Sequence, residues 1–225
     1  IEDELKDYNL TTFYIDTHYE DVLLSNLIPH GIIKDRIEKL SVDITQSWIE
    51  DAKGLMTLCV LIGGFKCFAD LLNAIDYENR TKRNSIAVSV DFIRVESYVY
   101  CEVSGKVKII GIDNLEFLKD KDILIVKDVE SGKTMTKLLK YINQFKPNYV
   151  KVASLLVKRT DIGPHYKLDF IEFEVPYNFL VGYALDCTDH FRDLNSSDWA
   201  SKKLIWIPDD INGYVAAQIV KESIE

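Results

Sequence analysis

At 225 residues, with 47% hydrophobic and 28% charged residues, the chain fits one α/β domain that can bury a sizeable core. Its 36 acidic residues against 27 basic ones give a formal net charge of −9, which argues against nucleic-acid binding and requires any polyanionic ligand to be held by local cations or metal. No apolar run is long enough to span a bilayer, so no membrane partner is expected.

In chain order, Ile32 to Ile49 places Ile33, Ile37, Leu40, Ile44 and Trp48 at helical spacing on one face. Leu55 to Ile62 is a nearly continuous apolar run, the pattern of a parallel strand covered on both faces. Gly63-Gly64 breaks it, and Phe65 to Ile75 resumes helical periodicity. Ser85 to Val95 alternates like an edge strand, with Val88, Val90 and Phe92 against polar neighbours. Val99 to Leu115 is weakly patterned, as expected of a flap. Further strands are predicted over Ile123 to Val126, Tyr149 to Val157 and Phe179 to Leu185, with a helix from Gly132 to Phe145. Such βαβ alternation predicts a mostly parallel, twisted sheet flanked by helices. Ligands then bind at the carboxyl ends of the strands, where Ile62, Lys127 and Asp186 are expected.

The run Ile123-Leu-Ile-Val-Lys-Asp-Val-Glu-Ser-Gly-Lys-Thr-Met-Thr-Lys-Leu-Leu139 carries the most chemistry. A strand leads through a charged loop into a helix whose unpaired amides and dipole suit a phosphate. A nucleotide-triphosphatase loop needs glycine where Lys127 stands, so that reading fails. A loop that cradles phosphoribosyl pyrophosphate (PRPP) fits better, and an ordinary strand–loop–helix junction is the plain alternative. Cys59, Cys67, Cys101 and Cys187 have no zinc spacing and are read as reduced thiols of a cytoplasmic protein. No secretory signal is read at the start, and the missing initiator methionine is read as a trimmed terminus.

Five further runs join that loop: Leu27-Ile-Pro-His-Gly-Ile-Ile-Lys-Asp-Arg36, Leu58-Cys-Val-Leu-Ile-Gly-Gly-Phe-Lys66, Val90-Asp-Phe-Ile-Arg94, Val150-Lys-Val-Ala-Ser-Leu-Leu-Val-Lys-Arg-Thr160, and Val181-Gly-Tyr-Ala-Leu-Asp186 with Phe191-Arg-Asp-Leu194. In this order, between about Tyr8 and Asn195, they resemble the hypoxanthine-guanine phosphoribosyltransferase family. The tail after Ser196 does not resemble it closely. The resemblance implies a type I phosphoribosyltransferase fold, a single domain over residues 1–225. Its core would cover roughly 30–186 and its small hood would combine the N-terminal segment with 187–225. It implies transfer of the phosphoribosyl group of PRPP to N9 of a 6-oxopurine, giving IMP or GMP and pyrophosphate. It also implies magnesium as cofactor and a homodimer or homotetramer.

Roles follow from the same resemblance. Asp128, Ser131, Gly132, Lys133 and Thr134 would hold the PRPP ribose and 5′-phosphate, and Glu130 would act as proton acceptor or donor near purine N7. Ile62, Gly63 and Arg192 would contact pyrophosphate, and Ser97-Tyr98 would form the flap. Lys158 would donate to the purine O6, Phe179 would stack on the base, and the backbone around Leu180 would meet its edge. Asp186 would complete the purine site, and Asp186 and Asp128 would hold magnesium. Taken singly, each has a bland reading: a solvated strand end for Lys158, core for Phe179, a turn cap for Asp186, a surface ion pair for Arg192.

Departures cluster at the chemistry. The family's adjacent acids are Lys127-Asp128 here, its aspartate is Glu130, and the loop is one residue shorter, a loss of up to about 3.5 Å of reach. Ile62 replaces a lysine, and Glu96 stands where the family tends to be basic. A unit charge about 4 Å from a phosphate is worth on the order of 4 kcal/mol at an effective dielectric of about 20, so these changes bear on turnover. The expectation is an active purine phosphoribosyltransferase. The alternative is a weak or inactive paralogue that binds purine nucleotides and acts through partners. A Rossmann-like dehydrogenase or hydrolase is discounted for want of a glycine fingerprint or nucleophile elbow.

Overall fold

Strand β2 (Leu55–Leu61) is apolar at every position but Thr57, and it occupies the middle of a sheet. The computed structural model describes residues 1, 7–48, 54–82, 85–96, 108–110, 116–130, 133–159, 168–176, 180–186, 190–200, 204–209 and 213–218. Around β2 lie β3 (Val88–Glu96), β4 (Lys108–Ile110), β5 (Asp122–Glu130), β6 (Tyr149–Lys158) and β7 (Phe170–Val175), in the order β4-β3-β2-β5-β6-β7. All neighbours pair in parallel except β4, which runs antiparallel to Arg94–Glu96 of β3. This is the expected mostly parallel sheet flanked by helices.

Helices cover both faces, so the central strands need no polar side. Helix α3 (Lys133–Ile142) lays Met135, Leu138 and Ile142 against Met56, Leu58, Ile123 and Ile125. Period-2 alternation turns Cys59, Leu124 and Val126 to the opposite face, where they are equally buried. Helix α2 (Phe65–Thr81) packs on β2 and β5 and buries Cys67, Phe68, Leu71 and Ile75. Helix α1 (His30–Trp48) buries Ile33, Ile37, Leu40, Ile44 and Trp48, the predicted stripe. Lys34 of α1 is ion-paired with Asp70 of α2 at 2.5 Å.

The chain divides into two compact units: Ile1 with Lys34–Tyr177, and Glu2–Ile33 with Asn178–Glu225. The second contains an antiparallel sheet of β1 (Leu23–Ile28), β9 (Ser197–Ala200) and β8 (Leu180–Val181), in that order. Beneath it Ile15, Tyr19, Leu23, Val181, Phe191 and Leu194 form a small core. A separate hairpin joins β10 (Leu204–Asp209) to β11 (Gly213–Gln218). No helix among the described residues is long and apolar enough to cross a membrane.

Two expectations need correction. Lys127 to Glu130 is strand rather than loop, because parallel pairing with β6 continues through Lys127–Ser154, Val129–Leu156 and Glu130–Val157. The run Phe179 to Leu185 gives only the short β8, which joins the antiparallel sheet and not the parallel one. Strand β3 alternates as expected, with Val90 and Phe92 each 44% exposed and Ile93 buried, so the apolar face is the less covered one.

Candidate active site

Three residues separate β2 from α2, and the turn they form leaves little room. The Leu61–Ile62 peptide is cis, and Ile62 is partly exposed. Gly64 takes the N-cap position of α2, where a Cβ would stand 2.8 Å from the Val60 carbonyl oxygen, so only glycine fits without a shift. A Cβ on Gly63 would lie 1.8 Å from Asp128 Oδ2 and 2.6 Å from its Cγ. The turn after β2 and the strand β5 are therefore in direct contact, and the Asp128 carboxylate fills the space that a side chain at Gly63 would take.

Asp128 is the electrostatic hub of this corner. Lys158, half-buried at the end of β6, has its pKa lowered by burial, and the negative charge of Asp128 partly restores it. Burial, reinforced by Asp128, pushes the Cys59 thiol up to about 12 and raises Cys67 likewise. Both cysteines are free, buried and inert as thiols at neutral pH. Ser154 Oγ donates to the Leu156 carbonyl at 2.8 Å and lies 3.4 Å from that of Asp128. Ile62, Gly63, Asp128 and Lys158 thus converge at the carboxyl ends of β2, β5 and β6. Lys127, like Asp128, lies inside β5, short of its end at Glu130.

A second group forms in the other unit. Gly182, Tyr183 and Ala184 have φ of 87°, 48° and 74°, a left-handed turn closed by paired hydrogen bonds between Gly182 and Leu185 at 3.1 and 3.0 Å. Arg192 forks across it: Nη1 donates to the Ala184 carbonyl at 2.7 Å, and Nη2 meets Asp186 Oδ1 at 2.9 Å. Backbone bonds from Tyr183 N to Leu194 O and from Ala184 N to Arg192 O fasten the two segments together. Asp186 follows this turn and does not end a strand of the parallel sheet. Leu180 pairs with Trp199 in the antiparallel sheet.

Glu130 ends β5 opposite Val157, and Lys133 and Thr134 open α3. Ser97, Tyr98, Ser131, Gly132 and Phe179 lie outside the described residues. Among the described residues, the His, Cys, Asp and Glu side chains close enough to share one ion are Asp16, His18 and Asp193, whose ligand atoms all lie within 4.8 Å of one another. Asp128 and Asp186 offer the hard carboxylate oxygens that magnesium takes, one or two per ion with substrate phosphates and water completing the shell. A cavity of about 520 Å³ lined by Gly54, Met56, Ser89, Asp122 and Asn148 lies at the amino ends of the strands, away from this chemistry. Sequence reading passed over Cys59 and Cys67 as part of the Asp128 environment, and over Tyr19, which bonds to Asp193 at 2.9 Å across 174 positions. Only the fold brings such pairs together.

The Phosphoribosyl transferase domain family model matches residues 24–188. The hypoxanthine-guanine phosphoribosyltransferases of Rattus norvegicus, Homo sapiens and Bos taurus are each 47% identical to the chain over 196 residues, covering 87% of it and 89% of each relative. Among solved structures, that of hypoxanthine-guanine phosphoribosyltransferase from Schistosoma mansoni in complex with IMP aligns with a TM-score of 0.75 and 37% identity, covering 89% of this chain and 93% of that one. A second model, the Myosin N-terminal SH3-like domain, matches residues 192–225, which include β9, β10 and β11.

Proposed function

The chain belongs to the hypoxanthine-guanine phosphoribosyltransferases, and from that premise we propose that it transfers the 5-phosphoribosyl group of PRPP to N9 of hypoxanthine or guanine, giving IMP or GMP and pyrophosphate in purine salvage. The bond from C1′ to the pyrophosphate oxygen breaks, the bond from C1′ to N9 of the N7–H tautomer forms, and the N7 proton is lost. Support comes above all from the convergence of Asp128, Gly63 and the half-buried Lys158 at one end of the parallel sheet.

In this reading Lys158 donates a hydrogen bond to the purine O6, which distinguishes oxopurines from adenine, since an amino group there has no acceptor to offer. Phe179 stacks on the base and the Leu180 backbone meets its edge. Asp128 orients the ribose hydroxyls, and Ser131, Gly132, Lys133 and Thr134 hold the 5′-phosphate at the start of α3. The amides of the Ile62-Gly63 turn and the guanidinium of Arg192 hold the departing pyrophosphate. Glu130 receives the proton near N7, and Ser97-Tyr98 close over the site to exclude water. Asp128 and Asp186 are the carboxylates assigned to magnesium, which when bound neutralises charge on the leaving group. We place the protein in the cytoplasm and expect a homodimer or homotetramer.

IMP formation from hypoxanthine and PRPP by the purified protein, with magnesium varied, tests this. Magnesium-dependent turnover is expected. Folded, pure protein without turnover would overturn the assignment and leave a nucleotide-binding relative.

A further inference from the structure

Arg192 sits between two residues held by the same side chain. The phenol of Tyr19 donates to Asp193 Oδ1 at 2.9 Å and accepts the Phe191 N–H at 3.1 Å. Its ring stacks on that of Phe191, with centroids 4.5 Å apart and planes inclined by 29°. Tyr19 is 4% exposed and Phe191 fully buried, so water does not compete for the Phe191 bond, while the Asp193 carboxylate is itself exposed. Phe191 has a φ of 72°, a left-handed conformation that costs a residue with a side chain and persists when its surroundings fix it.

We propose that Tyr19 is a positioning residue for Arg192. By fastening Phe191 and Asp193 on either side, its hydroxyl and ring fix the backbone from which the guanidinium reaches Ala184 O and Asp186 Oδ1. The inference rests on the reading of Arg192 as a pyrophosphate ligand. It gives a role to Tyr19, 174 positions from Asp193 in sequence and outside every run that carries the family resemblance. Burial, with the charges of Asp193 and Asp16, raises the Tyr19 pKa and keeps the phenol a donor at neutral pH, whereas the Phe191 N–H bond lowers it. A purely space-filling role would be served equally by phenylalanine, which keeps the stack and loses only the hydroxyl.

The test compares wild-type protein with Arg192→Ala, Tyr19→Phe, Asp193→Ala and the Tyr19→Phe/Asp193→Ala double variant. Steady-state kinetics give kcat and the KM for PRPP, calorimetry gives the affinity for inorganic pyrophosphate, and thermal melts check the fold. Tyr19→Phe is expected to raise the KM for PRPP and the Kd for pyrophosphate about tenfold, as loss of a buried hydrogen-bond partner does, with kcat little changed. Asp193→Ala should act similarly, and the double variant should be less impaired than the sum of the two. If Arg192→Ala is impaired while Tyr19→Phe matches wild type, or if the two single effects simply add, the positioning role is overturned. Should Arg192→Ala itself bind pyrophosphate normally, the pyrophosphate reading fails and takes this inference with it.

Discussion

The carboxylate of Asp128 and the α-carbon of Gly63 are so close that a methyl group on Gly63 would stand 1.8 Å from Oδ2. The atoms in the way end a short side chain, so relief comes from swinging Asp128 aside and not from moving backbone. Gly63→Ala should therefore spare stability, with a loss of at most about 1 kcal/mol, and cost activity. A fall in kcat/KM of tenfold or more, roughly 1.4 kcal/mol in the barrier, is expected. Kinetics beside thermal melts decide it, and unchanged kcat/KM would mean that the position of Asp128 is immaterial.

Lys158 should set the alkaline limit of catalysis. Its pKa is lowered by burial, although the Asp128 charge opposes this, so the ammonium that donates to O6 is lost at a lower pH than from a free lysine. Activity then falls as pH rises through the Lys158 pKa. Arginine stays charged throughout, so Lys158→Arg should remove that limb at reduced maximal rate, while Lys158→Gln should be slow at every pH. A limb that survives in Lys158→Arg would assign it to another group.

Lys127 precedes Asp128 in β5, where alternation turns the two side chains to opposite faces, so its cation acts on a metal at Asp128 only through the longer-range field, and like charge repels. Lys127→Glu should lower the magnesium concentration needed for half-maximal IMP formation, by about tenfold if roughly 1.4 kcal/mol of repulsion is relieved. An unaltered magnesium dependence would remove Lys127 from the metal's surroundings.

How far these features could be read from the sequence depended on whether their cause was local. The α1 stripe of Ile33, Ile37, Leu40, Ile44 and Trp48 is buried as its 3.6-residue spacing requires. Residues Lys127 to Glu130 looked like a loop because their charges are local, yet pairing with β6 is not, and tertiary pairing overrode propensity. Alternation in β3 identified a face without saying whether anything covers it, hence the exposure of Val90 and Phe92. At the site, Asp128 and Lys158 could be named from motif order. The contact of Asp128 with Gly63, and the hold of Tyr19 on both sides of Arg192, join residues that no spacing rule connects.

Asp198 should make the small antiparallel sheet pH-sensitive. It lies fully buried in β9, paired with Asn26 and Val181, in the span matched by the SH3-like model and beyond the phosphoribosyltransferase match at 24–188. Asn26 Oδ1, Ser197 Oγ and Asp198 Oδ1 are buried with no hydrogen-bond partner among the described residues, and the Asp198 carboxyl accepts from Ser196 Oγ at 2.7 Å. Burial raises its pKa from 3.8 to about 6 despite that bond. The folded state therefore binds this proton more tightly than the unfolded chain does. The stability this contributes is complete below about 3.8 and is lost as pH rises through about 6. At roughly 1.4 kcal/mol per pH unit the loss is about 3 kcal/mol. Asp198→Asn keeps the shape and removes the titration, so it should match wild type near pH 4 and exceed it near pH 7. Thermal melts across that range measure both curves. If wild type and Asp198→Asn show the same pH slope, the buried carboxyl is not its source.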